Sequence, residues 1–410
     1  VAHAPLPDSR ALARRAPGDH GARAVLVLLA LLALAFNLRP AASSVGPLVE
    51  EVERGLGLSS ASAGLLTALP VLSFAAFGGL APWLASRLGV HRLSMLGLVT
   101  TVAGLGWRAA TSSPSLFLVA SVLGLAGMAT ANVLLPSLVK LHFPTRVGPV
   151  TALYTTVLAV GLTAASVLSV PAAHALGSWR WGLGIWAVAA ALAALPWLGL
   201  VGHDTRAETR PHAITMRQVA GTRLGRMTAV AFGLQSLQAY AVFGWVAQVY
   251  RDAGYSATDA GLLLGLLTGI GIPVSLLIPT LAARRPSQVW LMLSLLSLLP
   301  LGLLGLALAP TAAPWAWAVL IGVSQGTFPL ILTLLGLRTR TSEGTAALSG
   351  FSQSTGYVLA ALGPFGMSIL HDATDGWTVP LLCLAALAVP LAAAGTAVAR
   401  PAYLEYELGR

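Results

Sequence analysis

Apolar runs and short polar connections alternate along nearly the whole chain. A helix rising 1.5 Å per residue needs about 20 apolar residues to cross the hydrocarbon core of a bilayer. On that measure the pattern predicts twelve membrane spans, at 24–48, 61–85, 92–111, 115–140, 149–173, 180–201, 224–249, 259–283, 288–309, 314–337, 345–370 and 377–399. The connections are short except for the polar stretch 202–222, with Asp204, Arg206, Glu208, Arg210, His212 and Arg217, which divides the chain in two. The expected organisation is a disordered cytoplasmic tail at 1–22, a six-helix bundle at 23–202, a cytoplasmic linker at 203–222, a second six-helix bundle at 223–400 and a cytoplasmic tail at 401–410.

One of these runs breaks its own pattern. Residues 24–35 are uninterruptedly apolar, but Phe36-Asn37-Leu38-Arg39-Pro40 follows before the span is complete. Arg39 falls about 16 residues into the first span, or roughly 24 Å along a helix. A guanidinium inside the membrane is expensive and is kept where it faces a protein interior or an aqueous cavity. Asn37 and Arg39 are two positions apart, about 200° around a helix, so both face one cavity only if Pro40 distorts the span. The cavity is assigned to Arg39, with Ser43 and Gly46 on its side, and Asn37 is expected to pack against a neighbouring helix.

The two halves repeat. Ala63-Gly64-Leu65-Leu66 matches Ala260-Gly261-Leu262-Leu263, and Pro82 and Pro279 each follow nineteen residues after the leading alanine. Phe36-Asn37-Leu38-Arg39 matches Phe232-Gly233-Leu234-Gln235. Six spans per half give both halves the same topology, related by an axis along the membrane normal, with a solute site between them.

Composition supports this reading: 56% of the 410 residues are hydrophobic and 9% are charged, against about 25% charged in a soluble domain. The net charge of +10 could suggest a nucleic-acid partner, but its distribution follows membrane topology instead. With both termini in the cytoplasm, 19 of the 24 Lys and Arg residues fall on the cytoplasmic side and four, Arg54, Arg108, Arg180 and Arg251, on the other. The positive-inside rule selects that orientation. The single cysteine, Cys383, excludes an intrachain disulfide framework and a cysteine zinc site. No cofactor or metal site is expected, and no motif suits an enzyme or an ATP-driven pump.

Few amides lie in the spans, and in lipid each needs a partner or water. Away from the span ends they are Asn37, Asn132, Gln235, Gln238, Gln325 and Gln353. Gln235 and Gln238 share a face, with Trp245 further along, and Ser349, Gln353 and Tyr357 form a stripe at spacing four. Asn132 and Pro136 share a face of span four. Tyr154, Tyr357 and Trp245 are candidate contacts whose alternative role is packing. The glycine-rich stretches Gly265 to Gly271 and Gly356 to Gly363 are expected to be sites of close helix packing. No Asp, Glu or His lies in a span interior, so a carboxylate proton relay is not expected; His371-Asp372 reads as a solvated loop pair.

The chain resembles the major facilitator superfamily, and within it the cyanate-permease type, which also includes a nitroimidazole transporter. The resemblance rests on Asn37-Leu38-Arg39-Pro40 with Ser44-Val45-Gly46-Pro47-Leu48, Leu66-Thr67-Ala68-Leu69-Pro70, Leu135-Pro136-Ser137-Leu138-Val139-Lys140, Phe232-Gly233-Leu234-Gln235-Ser236 and Leu348-Ser349-Gly350-Phe351-Ser352-Gln353, with Gly356-Tyr357 and Gly363-Pro364. It implies a cavity lined by spans one, four, seven and ten, with two, five, eight and eleven beside it and three, six, nine and twelve facing lipid. It departs from the superfamily at Ser86, where an Asp usually precedes the arginine. The expectation is therefore an all-α polytopic protein with twelve helices, acting as a monomeric plasma-membrane transporter of a small anionic or electronegative solute by alternating access. The resemblance implies cyanate-like anions or nitro-heterocycles. The solute contacts expected are Arg39, Asn132, Gln235, Gln238, Gln325, Gln353 and Tyr357, with Asn37, Tyr154 and Trp245 as further candidates. A broad-specificity exporter and a non-transporting membrane sensor are the alternatives.

Overall fold

A computed structural model describes residues 17–57, 60–203 and 214–409. These residues are helical almost throughout, and eleven segments are long and apolar enough to cross a membrane. They coincide with the predicted spans except for span eleven. That span is helical in two pieces, Ser342–Ala360 and Leu362–Thr374, meeting at Ala361. Its first piece carries Ser349, Ser352, Gln353, Ser354 and Tyr357, all buried, so it lacks the apolar content of a lipid-facing helix. Pro364 removes a backbone donor one turn past the join, which loosens the helix there.

Span one is also interrupted. Pro17–Asn37 ends, Leu38 and Arg39 turn, and the one-turn helix Pro40–Ser43 follows, leading through a 3₁₀ turn at Gly46–Leu48 to the surface helix Val49–Leu56. Pro40 cannot donate to the Phe36 carbonyl four residues back. Gly161 of span five packs against that carbonyl so closely that a Cβ would overlap it. Span ten breaks similarly between Pro314–Ser324 and Thr327–Leu337, and here Pro329 follows Gln325 by four. Span twelve joins Thr378–Ala386 to Ala388–Ala399.

The halves meet along spans two and eleven and along spans five and eight, with spans four and ten also crossing the interface. Side-chain hydrogen bonds join the halves. They include Asn132 to Gln353, Ser349 to the Val133 carbonyl (2.9 Å), Ser137 to the Ser342 carbonyl (2.8 Å) and Thr155 to the Ser275 carbonyl (3.2 Å). These lie within about ten residues, roughly 15 Å of rise, of the helix ends on the side that carries the termini. On that side Gly148 also packs on Ala283 and Pro279, and Gly350 on Pro82. On the opposite side, Gly261, Gly265, Gly269 and Gly271 of span eight have no neighbouring atom within 4 Å of a Cβ position. The expectation of close packing therefore fails at Gly265 to Gly271. It is met at Gly356 and Gly363, which press on Phe232 and on the Leu237 carbonyl.

Spans three, six, nine and twelve turn large apolar side chains outward, including Leu96, Leu192, Leu301 and Val389. Three boundary expectations change. Helix begins at Pro17, inside the stretch expected to be a tail, while residues 1–16 lie outside the described residues. Half of the linker, residues 204–213, also lies outside them, but its end forms a capped helix, Met216–Gly221. The tail at 401–410 contains the helix Leu404–Glu407, with Leu404 and Glu405 buried. Glu405 accepts hydrogen bonds from the Arg340 and Thr341 backbone amides and from the Thr341 hydroxyl, which fixes this segment to the connection between spans ten and eleven.

Candidate functional site

Arg39 stands at the break in span one and starts its next turn: the Ala42 and Ser43 amides and the Ser43 hydroxyl all donate to its carbonyl, at 2.9–3.0 Å. The break separates the two polar side chains of this segment. Asn37 stays with the preceding helix, donating to the Ala33 carbonyl at 2.9 Å and reaching the Ala189 carbonyl of span six at 3.5 Å. Arg39, past the turn, points across to the other half.

There its guanidinium carbon lies 5.8 Å from the ring centroid of Phe328, within range of a cation–π interaction. Phe328 sits one turn after the break in span ten, so the two interrupted helices face each other through these side chains. The hydroxyls of Tyr240 and Tyr357 stand beside the same guanidinium. Arg39, Tyr240, Gln325 and Phe328 are each partly exposed, which marks the open face of the group. Behind them the rings are continuous. Tyr357 lies 5.1 Å from Phe74, 5.2 Å from Phe232 and 6.5 Å from Tyr240 between centroids. Phe232 lies 6.1 Å from Phe328.

Among the described residues no carboxylate enters this group, and the buried Tyr357 hydroxyl has no hydrogen-bond partner at ordinary distance. A cation, two phenols and a wall of aromatic faces can hold a planar or compact solute with negative charge or electronegative atoms. Charge-assisted hydrogen bonds from a guanidinium fork supply geometry as well as attraction.

The amides divide. Asn132 lies beside Tyr357 and donates to Gln353 at 2.5 Å; Gln353 donates to Ser349 at 2.7 Å. These amides are buried and hold the two halves together at the floor of the group. Gln235 reaches Gln325 at 3.5 Å, and Gln325, at the break in span ten, is the more exposed of the two. Gln238 leaves the set: although three residues from Gln235, it donates to the Leu384 carbonyl of span twelve at 2.9 Å and is 1% exposed. Trp245 also lies elsewhere, donating to the Pro364 carbonyl at 3.0 Å and packing on Trp377. Tyr154 is buried in span five beside Thr151.

Phe328 and Tyr240 were not singled out by the sequence, because an aromatic side chain in an apolar helix is ordinary. A signal was present for Phe328: Gln325 precedes Pro329 by the same four residues that separate Phe36 from Pro40. Arg108 was counted as a flanking charge. The structure buries it completely, in contact with span one.

The family model of the Major Facilitator Superfamily matches residues 25–364. An uncharacterized transporter, YycB, of Bacillus subtilis is 37% identical over 92% of this chain and 94% of its own length. The 2-nitroimidazole transporter of Escherichia coli is 32% identical over 93% and 97%. The cyanate transport protein CynX of the same organism is 28% identical over 88% and 95%. Among solved structures, the proton:xylose symporter XylE aligns with a TM-score of 0.76 at 12% identity, over 95% of this chain and 99% of that one. FucP in an outward conformation aligns at 0.74 and 15% identity, over 92% and 100%.

Proposed function

The chain belongs to the major facilitator superfamily, and from that premise we propose that it carries a small anionic or electronegative solute across the membrane by alternating access, with Arg39 as the anchoring group. Members of this family are transporters and not enzymes. The observation that carries the proposal is the Arg39 guanidinium at a helix break, unpaired by a carboxylate among the described residues and facing Phe328, Tyr240 and Tyr357 of the other half. Discontinuous membrane helices that face each other are a recurrent way to build a solute site between repeats. Cyanate and nitro-heterocycles are the solute classes that the named relatives support. The membrane is taken to be the plasma membrane; the arginine distribution supports both termini in the cytoplasm, and one chain contains both walls of the site.

The test is binding and uptake of cyanate and 2-nitroimidazole by the reconstituted chain, for wild type, Arg39→Lys and Arg39→Ala. Arg39→Ala is expected to lose at least about tenfold in transport, and Arg39→Lys an intermediate amount, since lysine keeps charge but not the fork. The continuous aromatic wall favours one second reading, an exporter of broad specificity. In that case Phe328→Ala abolishes transport while Arg39→Ala leaves it within about threefold of wild type.

A further inference from the structure

We propose that Arg108, in span three, is a positioning residue for Arg39. Span three otherwise packs on spans four and six and turns apolar residues outward. Near its end away from the termini it carries an arginine only 1% exposed. Its Nη1 donates to the Ala41 carbonyl at 3.0 Å and its Nη2 to the Ser44 hydroxyl at 3.1 Å, and Ser44 is itself fully buried. The Nε is buried without a hydrogen-bond partner, and no carboxylate pairs with the charge among the described residues.

The two acceptors lie two and five residues beyond Arg39, on the single turn that Arg39 begins. A one-turn helix has no inner hydrogen-bond ladder to set its direction, and its last carbonyls need outside donors. Arg108 supplies one of them. The other side of the break is held separately, by Asn37 against span six and by the Trp197 indole donating to the Ala30 carbonyl at 3.2 Å. Leu38 and Arg39 are thus suspended between two anchored segments, and the direction of the Arg39 side chain depends on where Arg108 holds residues 41 to 44. The planar fork reaches two acceptors at once, which a lysine ammonium on its single stem does not reproduce. A buried guanidinium without a counter-charge is a costly way to brace a helix; directing Arg39 gives it a function.

This proposal rests on the reading of Arg39 as the solute anchor, and the experiment separates the two. The full chain is reconstituted, and apparent KM and kcat for 2-nitroimidazole and cyanate are measured alongside the Tm. The variants are Arg108→Gln, Arg108→Lys and Ser44→Ala, each with Arg39 and with Arg39→Lys. Arg108→Gln is expected to raise KM about tenfold and Ser44→Ala about threefold, with both effects shrinking below about twofold in the Arg39→Lys background. Arg108→Lys should fall between wild type and Arg108→Gln. Equal effects in the two backgrounds, or a lowered Tm with unchanged KM, overturn the proposal by making Arg108 a brace alone. If Arg108→Gln does not reach the membrane, Ser44→Ala decides, since it removes one acceptor and leaves the guanidinium in place. If Arg39→Lys itself leaves KM unchanged, or wild type neither binds nor moves either probe, the site reading fails and this proposal falls with it.

Discussion

Span one and span seven are the same segment of two repeats, and they have become different objects. Phe36-Asn37-Leu38-Arg39 aligns with Phe232-Gly233-Leu234-Gln235; Phe36 is half-buried near Trp186 of span six, and Phe232 is buried against Phe328 and Tyr357. Both spans are also crossed by a glycine that presses on a backbone carbonyl, Gly161 on Phe36 and Gly363 on Leu237. The next residue differs: Pro40 in one, Ser236 in the other. Span seven continues as one helix, Arg223–Asp252, while span one breaks. The missing donor of Pro40 therefore does more than bend a helix. It frees the following turn to be aimed, and the residue that begins that turn is the arginine. Repeat packing is retained and repeat chemistry is not, so the proposed site has its cation, the partly exposed Arg39, on the N-terminal half and its aromatic wall mostly on the other.

The most direct way to break this asymmetry is Arg39→Gln, which writes the span-seven residue into span one. Transport of 2-nitroimidazole in proteoliposomes is expected to fall by at least about tenfold, because a charge-assisted donor pair is replaced by a neutral amide. Gln235→Ala in the same assay should stay within about threefold, since Gln235 is buried and its contact with Gln325 is long. Comparable losses for the two would mean that the halves contribute alike.

The shared glycine contacts sharpen the part of the comparison that is symmetric. Gly161→Ala and Gly363→Ala each push a methyl into a carbonyl oxygen of the facing span. Each should destabilise the protein by about 1–3 kcal/mol, the usual range for overpacking, read as a lowered melting temperature in detergent. Gly244→Ala, in span seven with nothing within 4 Å of its Cβ position, is the control and should not be destabilised. If only Gly161→Ala lowers the melting temperature, the packing has diverged along with the chemistry.

How much of this could be read from the chain depended on how unusual each residue was for its place. Eleven spans stood out because long apolar runs have few alternatives. Span eleven matched the repeat, yet its buried serines and Gln353 give it the composition of an interior helix. Arg39 stood out because a membrane arginine is costly. The identical cost did not expose Arg108, which lies so near the end of its span that sequence alone treats it as a flanking charge. Phe328 and Tyr240 are unremarkable as types; only the facing breaks give them meaning. Gln238 shows the converse, a residue type worth noticing whose direction around the helix, toward Leu384, was decided by packing.

An effect of similar size concerns what holds the halves together below the site. Asn132 and Gln353 use their amides on each other across the interface, and both are buried. Gln353→Leu leaves the Asn132 donor without its acceptor, and should cost about 1–3 kcal/mol. Replacing both by leucine removes the polar pair together and should recover part of that loss. A melting-temperature cycle over the four proteins measures the coupling, and additive losses would show that the hydrogen bond does not join the halves energetically.

The smallest expected effect separates two glycine-rich stretches that look alike in sequence. Gly356 lies against span seven, where a Cβ would come 2.6 Å from the Phe232 ring, so Gly356→Ala must displace an aromatic side chain in the wall of the site. Gly265 faces open space on span eight. An alanine there should gain about 0.5–1 kcal/mol through helix propensity alone, a slight rise in melting temperature. The gain would be measured in the conformation described, whose halves meet on the termini side and in which no atom lies within 4 Å of a Cβ at Gly265. Alternating access requires the opposite side to close in turn. If that closure brings another helix against the Gly265 face, the same methyl is overpacked in the second conformation. Gly265→Ala should then be more stable and slower at once, a combination that Gly356→Ala cannot give. A Gly265→Ala protein with raised melting temperature and wild-type turnover would place this glycine outside the closing surface.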